Sequence, residues 1–228
     1  MSSVRLRVKP STLTTVHGWD DTRAESGRAI KRKLMRHNVS DIESVIRDRR
    51  TLPPEQYSDR KVHRELVEQI LTNATWAPNH GLTQPWRFTV FMEGSQLGMA
   101  AKMSELYQDQ AGAQASEQTA QKLLARGTRS SVIIALGLDH DASGRFPEWE
   151  DRAALAAAVQ NMYLTATAQG LGALWSTPSF ISSKGMVDLL GWGEQVICAG
   201  IFYLGYPSGD WPQGHRKPLE YVTRWVSN

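Results

Sequence analysis

Two arginine-bearing steps and one rigid loop carry most of the chemistry this sequence can offer. Arg49-Arg50-Thr51 follows a short helical pattern, and His215-Arg216-Lys217 lies in a late loop. Arginine holds phosphate through planar, bidentate hydrogen bonds. A single Arg-Arg step is usually just a solvated surface, but two basic clusters together suit a phosphate-bearing ligand. Between them in the chain runs Ala77-Pro78-Asn79-His80-Gly81-Leu82-Thr83-Gln84-Pro85-Trp86-Arg87-Phe88. Its two prolines and its glycine fix a non-helical path. A loop held in this way is a platform for a polar ligand or a structural turn around a core tryptophan; composition alone leaves both open. Gly170-Leu171-Gly172-Ala173-Leu174-Trp175-Ser176-Thr177 contains a glycine pair. The glycines follow a helical pattern and the third glycine is missing, so this is not a dinucleotide fingerprint.

A catalytic team of side chains is hard to assemble. There is no G-x-S-x-G and no H-E-x-x-H. His63 is expected on a helix surface. His140 and Asp141 follow a strand end, where a solvated turn is the simpler reading than a metal site. Glu148, Glu150 and Asp151 precede a helix, where carboxylates favour the N-terminal dipole. Cys198 lies within an apolar strand pattern and reads as core. A chain with binding steps but no acid/base team suits a cofactor that supplies the reactive chemistry, or no catalysis at all.

The elements that position these residues follow from hydrophobic periodicity. The 228 residues allow one sizeable core. Nine Lys/Arg against three Asp/Glu fall in residues 1–36, and 17 against 20 fall in the remainder. The basicity therefore belongs to the first segment, which argues against a nucleic-acid surface on the folded body. Residues 1–36 are expected to form a disordered basic extension, with Met35 as an alternative start, and residues 37–228 to form the folded domain. No long apolar run suggests a membrane span, no apolar leader suggests export, and a single cysteine suits a reducing cytoplasm. Ser40 and Glu43 suggest a capping box for a helix over 41–48. A helix over 61–75 follows, then a strand over 88–92, helix over 95–127, and a buried central strand over 132–138. A long alanine-rich helix spans 151–169. A short strand over 173–176, a helix capped by Ser182, a last core strand over 196–204 and an amphipathic end over 219–226 complete the α+β reading.

These stretches together resemble the nitroreductase family. The residues that carry the resemblance are Arg49-Arg50-Thr51, Trp76-Ala77-Pro78 with Gln84-Pro85-Trp86-Arg87-Phe88, Gly170-Leu171-Gly172 with Trp175-Ser176-Thr177, Gly205-Tyr206-Pro207, and Arg216-Lys217-Pro218-Leu219-Glu220. Their order and spacing match over about residues 40–225. His80 stands in a stretch where many members carry P-S-x-x-N, and in this the chain is similar to the compact YdjA-like subgroup of NAD(P)H nitroreductases. The resemblance implies an α+β nitroreductase-like fold, with a mixed central β-sheet flanked by helices, in an interlocked homodimer. It implies FMN at the subunit interface, with NADH or NADPH as electron donor. Arg49, Arg50 and Thr51 would then hold the FMN phosphate and ribityl chain, joined at the phosphate by Arg216 and Lys217. Trp76, His80 and Gln84 would reach the flavin from the partner chain, and Trp175, Ser176 and Thr177 would line the isoalloxazine. No side chain is assigned a catalytic role and no metal is implied, because flavin N5 carries the chemistry. The implied activity is ping-pong reduction of small oxidised acceptors such as nitroaromatics, quinones or enones. A flavin-dependent dehydrogenase or dehalogenase, or a non-catalytic flavin-binding regulatory module, remains open on the same scaffold. No membrane or nucleic-acid partner is implied.

Overall fold

The apolar run from Val132 to Leu138 leaves a strand no solvent face, and this decides the layering. The computed structural model describes residues 37–140 and 143–227. The expected disordered extension, the alternative start at Met35, and Asp141 lie outside the described residues. In chain order the helices are α1 (Val39–Asp48), α2 (Arg64–Ala74), α3 (Ser95–Ala111), α4 (Glu117–Arg129), α5 (Glu148–Ala168) and α6 (Lys184–Leu190). The strands are β1 (Trp86–Phe91), β2 (Val132–Asp139), β3 (Gly172–Ser176) and β4 (Val196–Gly205). From Ile42 onward the described residues form one compact unit. No helix among the described residues is long and apolar enough to cross a membrane.

The sheet order is β1-β2-β4-β3, and every neighbouring pair is antiparallel. The parallel component expected of a mixed sheet is reduced, among the described residues, to a bridge between Thr51 and Ala173. Side chains alternate across β2. Val132, Ile134, Leu136 and Leu138 enter a core with Val67 and Ile70 of α2 and Leu155, Val159 and Met162 of α5. Ile133 and Ala135 enter a second core with Met99 and Met103 of α3, Leu123 of α4 and Met186 of α6. The result is a helix–sheet–helix sandwich with β2 and β4 at its centre.

Local chemistry shifts several expected boundaries. Asn38, not Ser40, caps α1: its Oδ1 accepts from the Ser40 amide at 3.1 Å and from the Ser40 hydroxyl at 2.9 Å. Ser183, not Ser182, caps α6 by accepting from the Met186 amide. The helical stretch 95–127 is broken by Gly112, whose φ of 51° lies in the left-handed region. α3 and α4 then fold back on each other, and Gly127 makes the contact close, since a Cβ there would lie 2.1 Å from the Ala100 methyl. The expected amphipathic end makes only a 3-10 turn at Leu219–Tyr221, and Leu219, Tyr221, Val222, Trp225 and Val226 are all exposed.

β4 carries the irregularity that matters for the site. Leu136 pairs with Gly200 but Gly137 pairs with Cys198, so Ala199 is the extra residue of a β-bulge. The Ala199 carbonyl accepts from the indole N–H of Trp175 at 3.2 Å. Gly200 has φ 150° and sits under that ring; a Cβ there would lie 2.1 Å from the indole nitrogen.

Candidate functional site

The end of α1 releases the chain into an extended run alongside β3. The Leu52 amide donates to the Ala173 carbonyl at 2.9 Å, and the Leu52 side chain is buried. This run presents Arg49 and Arg50 to a cleft of about 620 Å³. Arg47, Asp48, Gln160, Gly214 and Arg216 line the same cleft. Four guanidinium groups face one carboxylate, so the cleft attracts anions. Arg49, Arg50 and Arg216, expected from the sequence to act together although they lie far apart in it, meet here. Lys217 is exposed and is not among the lining residues.

The two adjacent arginines are held in different ways. The Nε of Arg50 donates to the Pro212 carbonyl at 2.9 Å, and its Nη1 donates to the carbonyls of Arg47 at 2.6 Å and Arg49 at 2.8 Å. Gly214 packs against this guanidinium so closely that a Cβ would lie 2.3 Å from its Cζ. The indole of Trp211 also donates to the Asp48 carbonyl. Arg50 is therefore the clamp that fixes the 206–218 loop to the end of α1. Among the described residues the Arg49 side chain makes only a long 3.5 Å contact to the Thr51 hydroxyl, and its guanidinium lies 5.2 Å from the centre of the Tyr163 ring.

Tyr163 connects this cleft to the second expected stretch. Its hydroxyl oxygen accepts from the Trp175 amide at 2.6 Å, and its ring meets Phe202 edge-on at 5.0 Å. Trp175 and Ser176 are half-buried and Thr177 is exposed. Trp175, Ile181, Ile197 and Ala199 wall a smaller cavity of about 330 Å³, with Arg152 at its edge. Cys198 also lines it, but burial pushes its thiol up to about 11, and the Gly200 carbonyl only partly offsets this. A thiol in that state is not a nucleophile at neutral pH. In native protein at pH 8, Cys198 should resist a thiol reagent; in denaturant one equivalent should react. Rapid labelling of the native chain would refute the burial argument.

The loop between α2 and β1 is anchored to the first turn of α5. The Nδ1 of His80 lies 2.6 Å from Glu150 Oε2, and the imidazole packs against Phe146 in a tilted contact with ring centres 4.1 Å apart. Phe146 occupies the space beside Gly81 that a Cβ would fill, and Gly81 has φ 59°. The Thr83 hydroxyl donates to Asp151 at 2.8 Å, and the Nδ1 of His140 lies 2.7 Å from the other Asp151 oxygen. The Gln84 amide donates to Asn79 Oδ1, and both Leu82 and Gln84 adopt positive φ. Trp86 fills the core, whereas Trp76 is 82% exposed. Trp76, His80 and Gln84 do not line the arginine cleft of their own chain. The carboxylates of α5, expected only to favour the helix dipole, thus turn out to organise this loop. Among the described residues no group of three or more His, Cys, Asp or Glu side chains is placed to hold a metal.

Comparison with known proteins bears on the fold and family of this chain. The "Putative NAD(P)H nitroreductase YdjA" of Escherichia coli (strain K12) is 29% identical over 143 residues, which is 63% of this chain and 76% of that protein. The crystal structure of a nitroreductase-like family protein from Bacillus cereus superposes with a TM-score of 0.66 at 25% identity, covering 82% of this chain and 96% of that one. A point mutant of NfnB, an FMN and NADPH-dependent nitroreductase from Sphigopyxis sp. strain HMH, shares the fold with a TM-score of 0.63 at 19% identity, over 82% of this chain and 99% of that one. The sequence model of the nitroreductase family matches residues 46–206, from the end of α1 to the exit of β4. The chain belongs to the nitroreductase family.

Proposed function

We propose that this chain is an FMN-dependent oxidoreductase that takes reducing equivalents from NADH or NADPH and passes them to small oxidised organic acceptors. The observation that carries this reading is the arginine cleft, whose Arg49–Thr51 segment bridges to the strand that ends in Trp175 and Ser176. The residues fit the cofactor. Arg49 and Arg216 suit its phosphate, Thr51 its ribityl chain, and Trp175, Ser176 and Thr177 its ring. Arg50 contributes by holding the loop that carries Arg216, and exposed Lys217 adds long-range positive charge. When bound, FMN supplies the capacity to accept and return a hydride. This chain's residues bind and orient it and place positive charge near it. Nitroaromatics, quinones and enones are the acceptor classes proposed, with donor and acceptor using one face in turn.

Trp76, His80 and Gln84 complete the site when supplied by a second copy. Two further features support a homodimer. Trp149, Ala153 and Ala156 form an exposed apolar stripe on α5, and the apolar residues of the C-terminal stretch are uncovered. A reducing cytoplasm suits the proposed chemistry. Purified protein should be yellow, with about one FMN per chain, and should sediment as a dimer. Colourless protein that cannot be reconstituted with FMN would overturn the proposal.

A further inference from the structure

We propose that Tyr163 is the positioning residue of the phosphate end of this site, holding the Arg49 guanidinium over its ring while its hydroxyl fixes the Trp175 strand. The inference rests on the FMN reading above, but its content lies in how this chain treats two adjacent arginines. Arg50 is hydrogen-bonded to three carbonyls and cannot turn to a ligand without releasing the 206–218 loop. Arg49 has no comparable set of carbonyl partners among the described residues. A guanidinium held over a ring face is attracted by the π electrons and keeps its N–H donors for an anion. The 5.2 Å separation between Arg49 and the Tyr163 ring lies within that range.

Tyr163 is itself held by the core. It is 8% exposed, lies edge-on to Phe202, and accepts from the Trp175 amide at 2.6 Å. The platform therefore belongs to the rigid core, and one side chain spans both ends of the site. Loss of the ring would free Arg49 and lower its effective concentration at the phosphate, with no direct contact to the ligand lost.

The test compares FMN with riboflavin, which lacks the phosphate, in titrations of flavin-free full-length protein. Tyr163→Leu should weaken FMN binding about tenfold, the worth of a partly desolvated cation–π contact. Measured against Tyr163→Phe, which also lacks the hydroxyl, its riboflavin affinity should change less than about threefold, as expected when the ring acts only at the phosphate end. Tyr163→Phe keeps the ring and should restore FMN binding to within about threefold of wild type. In an Arg49→Ala background, Tyr163→Leu should cost FMN binding little more than Tyr163→Phe does. Should the leucine variant fail to fold, Tyr163→Met fills the space without a ring and serves the same comparison. Equal losses of FMN and riboflavin affinity on going from Tyr163→Phe to Tyr163→Leu, or full additivity of that step with Arg49→Ala, would overturn the assignment. If wild-type protein binds neither flavin, it is the FMN reading that fails.

Discussion

Replacing Arg49 and Arg50 together with alanine should lower FMN affinity by about 100-fold or more while leaving a folded chain. The magnitude follows from the loss of charge-assisted hydrogen bonds, each worth roughly 1.5–3 kcal/mol. The single variants should separate two roles. Arg49→Ala should weaken FMN binding with little change in thermal stability, because among the described residues its guanidinium donates to no backbone carbonyl. Arg50→Ala should weaken binding and also loosen the 206–218 loop, because the Pro212, Arg47 and Arg49 carbonyls lose their donor. Flavin titration with limited proteolysis of that loop would read both effects. Unchanged flavin occupancy in the double variant would contradict the phosphate assignment.

Asp151→Ala should be the more damaging change to the fold. Asp151 is 2% exposed and accepts from Thr83, with His140 at its other oxygen. Its removal leaves a half-buried donor and an imidazole without their acceptor, at a cost of about 3 kcal/mol. For a domain of this size that is a melting shift of roughly 6–12 °C. Asp151→Asn keeps an acceptor for Thr83 and should lose about half as much. The Asn79–Gln84 loop should become accessible to protease in the alanine variant before the core does. A melting temperature within a degree or two of wild type would show that the network is incidental. The neighbouring His80–Glu150 pair should matter less for stability, since His80 is largely exposed.

The difference between these two sites shows what the sequence could reveal. The meeting of Arg49, Arg50 and Arg216 was legible because two separate basic clusters stand out in a mildly acidic body. The run from Val132 to Leu138 was legible as a doubly buried strand because nothing in it could face water. The carboxylate anchors of this loop were not legible, because Thr83 lies 68 residues from Asp151 and His80 lies 70 residues from Glu150. Tyr163 was hidden for a related reason: on an alanine-rich helix it reads as core, and only the fold sets Arg49 over its ring. The bulge at Ala199 was also silent, since a glycine in a strand is as consistent with a weak spot as with a seat for an indole. Capping fared in between: the right residue types were visible at both α1 and α6, but the capping residue itself was displaced by one or two positions. Finally, Trp76 and Trp86 read alike in sequence, yet one is solvent-facing and the other is core.

The hydrogen bond from the Leu52 amide to the Ala173 carbonyl closes the edge of the sheet next to the arginine cleft. That proton can exchange with solvent only when this edge opens, while the segment that opens also carries Arg49. A ligand gripping Arg49 makes each opening rarer, by a factor that grows with occupancy. The deuterium uptake of one backbone position is thus a label-free gauge of whether the cleft is filled, readable even for ligands without colour.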